Sequence, residues 1–109
     1  MILVFVSFVS FVVQPLGAQS TPGSAEKGKQ IYMKYGCYQC HGRVGQGGAG
    51  PRLGPPPPAF EAFARALRQP RAEMPPYTSR VVTDADLADI YAFLRALPHP
   101  ARGVPMPEP

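Results

Sequence analysis

Five consecutive residues carry the most distinctive chemistry of the chain, and they include its only two cysteines: Cys37-Tyr38-Gln39-Cys40-His41. Cysteines three positions apart lie on one face of a helix, where both thiols can form thioethers along one porphyrin edge. His41 would then lie under the ring and offer a nitrogen to the iron. Because Cys-x-x-Cys-His is the attachment signature of c-type haem, the motif predicts one covalently bound haem c. Cys37 and Cys40 would attach it, and His41 would ligate the iron.

Other uses of these side chains fit the sequence less well. Two cysteines could form a disulfide or a redox-active thiol pair, but a thioredoxin-like pair is expected near a βαβ pattern, which the chain lacks. A structural zinc ion needs four ligands, and only His99 could complete the set. The adjacent Cys40 and His41 would also be sterically awkward on one tetrahedral ion. Haem therefore remains the favoured interpretation.

A second iron ligand is available among the four methionines. Three of them lie in the N-terminal apolar segment, in a helical pattern before the motif and near the C-terminal end. Met74 lies 33 residues beyond His41 in an irregular segment beside prolines, where a methionine has little to do in an ordinary core. We expect Met74 to be the second axial ligand, which raises the reduction potential relative to bis-histidine ligation and leaves no open position for substrate. Ligation by His99 and a space-filling role for Met74 are the alternatives.

Three helical patterns, separated by segments rich in Gly and Pro, would position these residues. The first has Ser24 as its N-cap and Gly36 as its stop, the second spans residues 59–69, and the third begins after Thr83 and ends before Pro98. No stretch after the N-terminal apolar segment alternates like a β-strand. The sequence therefore predicts an all-α domain with long irregular connections.

Length and composition limit the alternatives. The chain has 109 residues, including 15 Pro, 11 Gly and no Trp, which allows one small domain and excludes a multidomain enzyme. The glycines of residues 45–50 match the dinucleotide fingerprint G-x-G-x-x-G, but Pro51 follows them in place of a helix, so we reject that motif. The net charge is +4 with acidic and basic residues interleaved, which argues against nucleic-acid binding and suits an acidic protein partner or a merely solvated surface.

The chain divides into four segments. Residues 1–18, of which 13 are apolar, predict an export signal that is cleaved after Ala18 or retained as an anchor. The apolar run is short for a transmembrane helix, which needs about 20 residues. Residues 19–24 are expected to be a short linker, 25–97 the domain and 98–109 a Pro-rich tail. Export predicts a periplasmic location, or another location outside the cytoplasmic membrane.

Residues 25–97 resemble a class I c-type cytochrome, the small monohaem type found in bacteria. The resemblance rests on five segments in the expected order: EKGKQIY (26–32), CYQCHG (37–42), GPRL (50–53), MPPY (74–77) and LADIYAFL (87–94). It implies the cytochrome c fold, with three main helices around one haem. It also implies that the first and third helices cross near Gly28, where Tyr91 approaches closely, and that the Pro51 carbonyl accepts a hydrogen bond from His41.

The resemblance further implies a one-electron carrier without catalytic residues, which passes electrons between exported redox proteins. The net charge of +4 predicts that these partners have acidic docking surfaces. Many members place a tryptophan against a haem propionate; this chain has none, and Tyr77 or Arg52 could take that place. One alternative function is a haem-bearing subunit of a larger dehydrogenase or oxidase. Another is a ligand-binding or peroxidatic haem protein, which would require the Met74 bond to iron to be absent or labile.

Overall fold

The computed structural model of the chain describes residues 23–99. Within this range it contains four helices and no strand, so the predicted all-α class is confirmed. The three predicted helices are present, and the haem motif adds a short fourth one between the first and the second. In chain order the helices are α1 (Ala25–Lys34), α2 (Cys37–His41), α3 (Phe60–Arg68) and α4 (Asp84–Ala96).

Several predicted segments lie outside the described residues. These are the export signal at 1–18, most of the linker at 19–24 and most of the tail at 98–109. Among residues 23–99, no helix has the length and apolarity that crossing a membrane requires.

Local hydrogen bonds explain where α1 and α4 begin. The Ser24 hydroxyl accepts a hydrogen bond from the Lys27 amide at 3.3 Å, as expected of an N-cap. At the start of α4 the Thr83 hydroxyl accepts from the Asp86 amide at 3.1 Å, while the Asp86 carboxylate accepts from the Thr83 amide at 3.0 Å. This reciprocal capping box pairs amides that would otherwise lack partners at the helix start. Both predicted N-caps are confirmed.

The core forms where α1 crosses α4. At Gly28 an added Cβ would collide with the backbone carbonyl of Asp89, so the two helix backbones are in direct contact there. One turn further along α1, the ring of Tyr32 packs against Phe93 with centroids 5.3 Å apart. The apolar core includes these two rings and extends to α3 and the start of α4; its buried members are Tyr32, Phe63, Leu67, Val82, Leu87, Ile90, Phe93, Leu94 and Leu97.

The crossing near Gly28 is present as expected, but Tyr91 is not the residue that uses it. The backbone of α4 at Asp89 fills the space beside Gly28. The Tyr91 ring instead packs against Phe60 and Phe63 of α3, with centroids 5.2 and 5.4 Å away. The prediction for Tyr91 is wrong because the helices approach closely enough for main chain to meet main chain, which leaves no room for a ring. Tyr91 thus joins α4 to α3.

Candidate haem-binding site

The two cysteines lie on α2 between two glycines with left-handed backbone. Gly36 precedes the helix with φ 73° and Gly42 follows it with φ 81°, a region that residues with a Cβ rarely adopt. These turns set α2 off from α1 and from the loop that follows. Both thiols are free; Cys37 is half-buried and Cys40 is exposed. Burial raises the pKa of the Cys37 thiol.

The His41 side chain is buried and held by one hydrogen bond. Its Nδ1 lies 2.7 Å from the carbonyl oxygen of Pro51, the contact that the resemblance implies. Because a carbonyl oxygen can only accept, Nδ1 donates the hydrogen. In a neutral imidazole the other nitrogen, Nε2, then keeps its lone pair. His41 is therefore in the tautomer that can ligate a metal through Nε2.

The loop that carries Pro51 folds back onto α2 through its glycines. The Gly47 amide donates to the His41 carbonyl and the Gly50 amide to the Cys40 carbonyl, each at 2.9 Å. A Cβ on Gly50 would lie only 2.8 Å from Cε1 and 3.0 Å from Nδ1 of His41. The missing side chain at this position lets the loop lie directly against the imidazole. Gly50 therefore helps to orient the His41 ring.

A buried tyrosine fixes the other side of this loop. The Tyr32 hydroxyl, at the centre of the core, donates a hydrogen bond of 2.6 Å to the carbonyl of Gly42. Burial raises the pKa of Tyr32 above its ordinary value, which already lies above the physiological pH range, so the hydroxyl is a permanent donor there. The residue that follows His41 is therefore tied to α1.

The segment that carries Met74 approaches the motif through Tyr77. The Tyr77 hydroxyl donates to the carbonyl of Tyr35 at 3.2 Å, and the two rings meet edge to face with centroids 6.3 Å apart. Burial raises the pKa of Tyr77. Met74 itself is half-buried and packs against the hydrophobic core.

These contacts bear on Tyr77 and Arg52, the two residues that could take the place of the tryptophan that many family members put against a haem propionate. Tyr77 has a single hydroxyl hydrogen, which Tyr35 uses, so it has none left for a propionate. Arg52 is exposed, and its only side-chain hydrogen bond within the described residues is a long one of 3.4 Å to the Gly54 carbonyl. A role for Tyr77 or Arg52 beside a propionate stays a prediction.

The donor set fits haem c better than it fits zinc or a disulfide. Within residues 23–99, no three His, Cys, Asp or Glu side chains are grouped so that they could hold a metal ion, and His99 is exposed. The cysteines are unpaired with each other. Two free thiols one turn apart, next to a histidine with an available Nε2, are the groups that covalent haem attachment needs.

This fold and this donor set define a small c-type cytochrome domain, which binds haem c covalently and serves haem-based electron transfer. The family model described as "Cytochrome C oxidase, cbb3-type, subunit III" matches residues 23–94, which is more than half of the chain. The chain belongs to this family. Searches of curated proteins and of solved structures return no match.

The contacts of two residues, Gly50 and Arg68, were not predicted from the sequence. Gly50 lies in the GPRL segment, beside Pro51, and its position one residue before the expected hydrogen-bond acceptor is a signal that could have identified it. Arg68, which lies at the end of α3, was not singled out from the sequence. Two of its three hydrogen-bond partners are backbone carbonyls, which residues of every type possess, so the sequence does not identify them.

Proposed function

We propose that this cytochrome is an exported one-electron carrier, with haem c attached through Cys37 and Cys40 and iron ligated by His41 and Met74. The observation that carries the proposal is the hydrogen bond between His41 Nδ1 and the Pro51 carbonyl, because it leaves Nε2 available beside two free thiols. When bound, the haem supplies one iron that gains and loses a single electron.

The protein contributes orientation to this chemistry. The Pro51 carbonyl and the glycine loop restrict rotation of the His41 ring, and accepting the Nδ1 hydrogen makes Nε2 a better electron donor. A ring fixed in both redox states needs little rearrangement when an electron arrives or leaves. No side chain in this proposal makes or breaks a bond, so we assign no catalytic residue.

Two features support Met74 as the second ligand. Its side chain is half-buried against the core, whereas the prolines that follow it are exposed. Three residues later, Tyr77 binds the backbone of Tyr35, which lies two positions before Cys37. The methionine segment is therefore tied to the chain that leads into the haem motif.

The substitution Met74→Ala tests this ligand. Ferric His/Met haem has a thioether-to-iron absorption band, and we expect Met74→Ala to lack it. Met33→Ala is the matched control, because Met33 is also a half-buried methionine packed against the core. His99→Ala controls for the alternative ligand. The assignment is wrong if the band persists in Met74→Ala, or if it is lost in Met33→Ala or in His99→Ala.

The partner of the carrier is proposed from charge. A net charge of +4 favours encounter with an acidic redox protein, through an effect on association rate that salt screens. We expect electron transfer to an acidic acceptor to slow as ionic strength rises. The bimolecular rate constant, measured by stopped flow from low to high salt, tests this; a rate constant independent of salt contradicts it.

A second candidate is favoured by the family description, which names a subunit of an oxidase. In that case the chain would be a permanent haem-bearing subunit of a larger complex. Cell fractionation followed by native electrophoresis and haem staining distinguishes the two functions. A carrier is released with the periplasmic fraction and migrates alone, whereas a subunit stays in a large assembly after mild extraction.

A further inference from the structure

The segment between α3 and α4, residues 69–83, contains no helix or strand and carries Met74. Residues 70–76 form no backbone-to-backbone hydrogen bonds within the described part of the chain. The nearest backbone attachments are the Gln69 amide to the Arg65 carbonyl at 2.7 Å and the Tyr77 amide to the Leu67 carbonyl at 2.8 Å. The position of Met74 therefore depends on how the two ends of this segment are held.

A single side chain connects α3 to the C-terminal half of this segment and to α4. Arg68, the last residue of α3, donates through Nη1 to the carbonyls of Tyr77 at 3.0 Å and Val82 at 2.6 Å. Its Nη2 donates to the Asp84 carboxylate at 2.8 Å, at the first residue of α4. A single planar guanidinium thus joins the end of α3, the middle of the segment and the start of α4. We call these three hydrogen bonds the Arg68 clasp.

The three bonds are unequal in strength. The Asp84 side chain is 92% exposed, so its ion pair with Arg68 is screened by water and contributes little. The Arg68 side chain is only 22% exposed, and Val82 is fully buried. The two charge-assisted bonds to carbonyls are therefore the ones that hold the segment, above all the bond to Val82, because its buried carbonyl has no water to replace a lost donor.

We propose that Arg68 is the positioning residue for the Met74 ligand: its clasp holds Tyr77 and Val82 of segment 69–83 to the end of α3 and so keeps Met74 on the iron. The inference rests on the proposed ligation by Met74. Arg68 acts through the backbone of Tyr77 and Val82 and does not itself touch the haem. Opening of the clasp frees the segment, and the position left by Met74 then becomes accessible to an external ligand.

The test uses carbon monoxide binding to the reduced holoprotein, which requires Met74 to leave. Arg68→Gln keeps one amide donor on a shorter side chain, loses the charge and the fork, and cannot bind both carbonyls. We expect its binding rate constant to rise at least about tenfold, the smallest effect expected for the loss of one hydrogen bond to a charged group. Arg68→Lys keeps the charge but not the fork, and we expect a smaller rise. If Arg68→Gln yields no holoprotein, the rate constant of carbon monoxide binding to Arg68→Lys must still exceed that of the wild type.

Two controls separate positioning from general stability. Asp84→Asn removes only the exposed ion pair, and we expect its rate constant to stay within about twofold of the wild type. Gly28→Ala destabilises the crossing of α1 and α4, whose contacting residues Asp89 and Ile90 make none of the three bonds of the clasp, and we expect no rise in the rate constant. If the rate constants follow the melting temperatures of all variants, including Gly28→Ala, the clasp has only a structural role and the proposal is overturned.

Amide hydrogen exchange makes the two proposals separable. The amides of Tyr77, Val81 and Val82 are hydrogen-bonded within the protein, so their exchange reports opening of the segment whether or not Met74 ligates iron. We expect faster exchange at these amides in Arg68→Gln than in Asp84→Asn, and equal exchange would overturn the clasp. If the wild type binds carbon monoxide as fast as Met74→Ala, it is the ligand assignment that fails, and the exchange result still decides the clasp.

Discussion

Because α1 and α4 are in contact at Gly28, we expect the substitution Gly28→Ala to destabilise the protein. On an ordinary exposed helix surface the same substitution would stabilise it. On an exposed helix, Gly→Ala stabilises by about 1 kcal/mol because alanine has the higher helix propensity. At Gly28 the new Cβ would lie 2.8 Å from the Ile90 amide nitrogen and closer still to the Asp89 carbonyl, against ordinary contacts of 3.4–4 Å. The helices would have to move apart until the Asp89 carbonyl clears the new Cβ, because this contact is the tightest of the three.

The size of the stability loss in Gly28→Ala follows from the fact that helix backbone must move. Overpacking a core costs about 1–3 kcal/mol, and we take the upper end, about 3 kcal/mol, because rigid backbone cannot rotate away. Subtracting about 1 kcal/mol of helix propensity leaves a net loss of about 2 kcal/mol. For a domain of this size each kcal/mol lowers the melting temperature by roughly 4–8 °C, so we expect Gly28→Ala to melt roughly 8–16 °C below the wild type.

The assay is thermal unfolding of the holoprotein followed by circular dichroism. Gly48→Ala is the control, because Gly48 is exposed, lacks a positive φ and has open space where a Cβ would be. We expect this control to melt within a few degrees of the wild type. If Gly28→Ala is as stable as Gly48→Ala, or more stable than the wild type, the helices are not in backbone contact at Gly28 and the reasoning is refuted.

Three further substitutions test the cap, the buried tyrosine and the glycine at the histidine. Thr83→Ala removes the capping box and should cost about 1 kcal/mol, or roughly 4–8 °C in melting temperature, with an unchanged haem spectrum; a changed spectrum would connect the cap to the haem site. Tyr32→Phe leaves the Gly42 carbonyl without its donor and should cost about 1–3 kcal/mol in urea unfolding; no loss would mean that water replaces the hydroxyl. Gly50→Ala pushes against the His41 ring and should lower the yield of attached haem and alter the low-spin ferric electron paramagnetic resonance spectrum; a wild-type yield and spectrum would contradict the contact.

Features set by local sequence could be predicted best. Ser24 and Thr83 were identifiable as N-caps because a cap depends on residues within one helical turn of it. The haem motif has the same local character, since its spacing is a property of five consecutive residues. The hydrogen bond between His41 and Pro51 joins residues ten apart, and it was expected from the family resemblance rather than from the residues themselves.

Features that depend on tertiary approach were predicted less well. Periodicity places Tyr91 on the apolar stripe of its helix, but the stripe faces both α1 and α3, and only the distance between backbones decides which helix the ring meets. The role of Arg68 was not predictable because two of its three acceptors are main-chain carbonyls 9 and 14 residues away. Every residue type offers such a carbonyl, so no sequence pattern marks the partners.

The most direct test of an electron carrier with a closed coordination shell is the reaction of the reduced wild-type holoprotein with carbon monoxide, measured by stopped flow. Iron ligated by both His41 and Met74 has no free position, so the account predicts that the wild type binds carbon monoxide far more slowly than Met74→Ala does. Binding by the wild type at the rate of Met74→Ala would contradict the account and favour a ligand-binding haem protein.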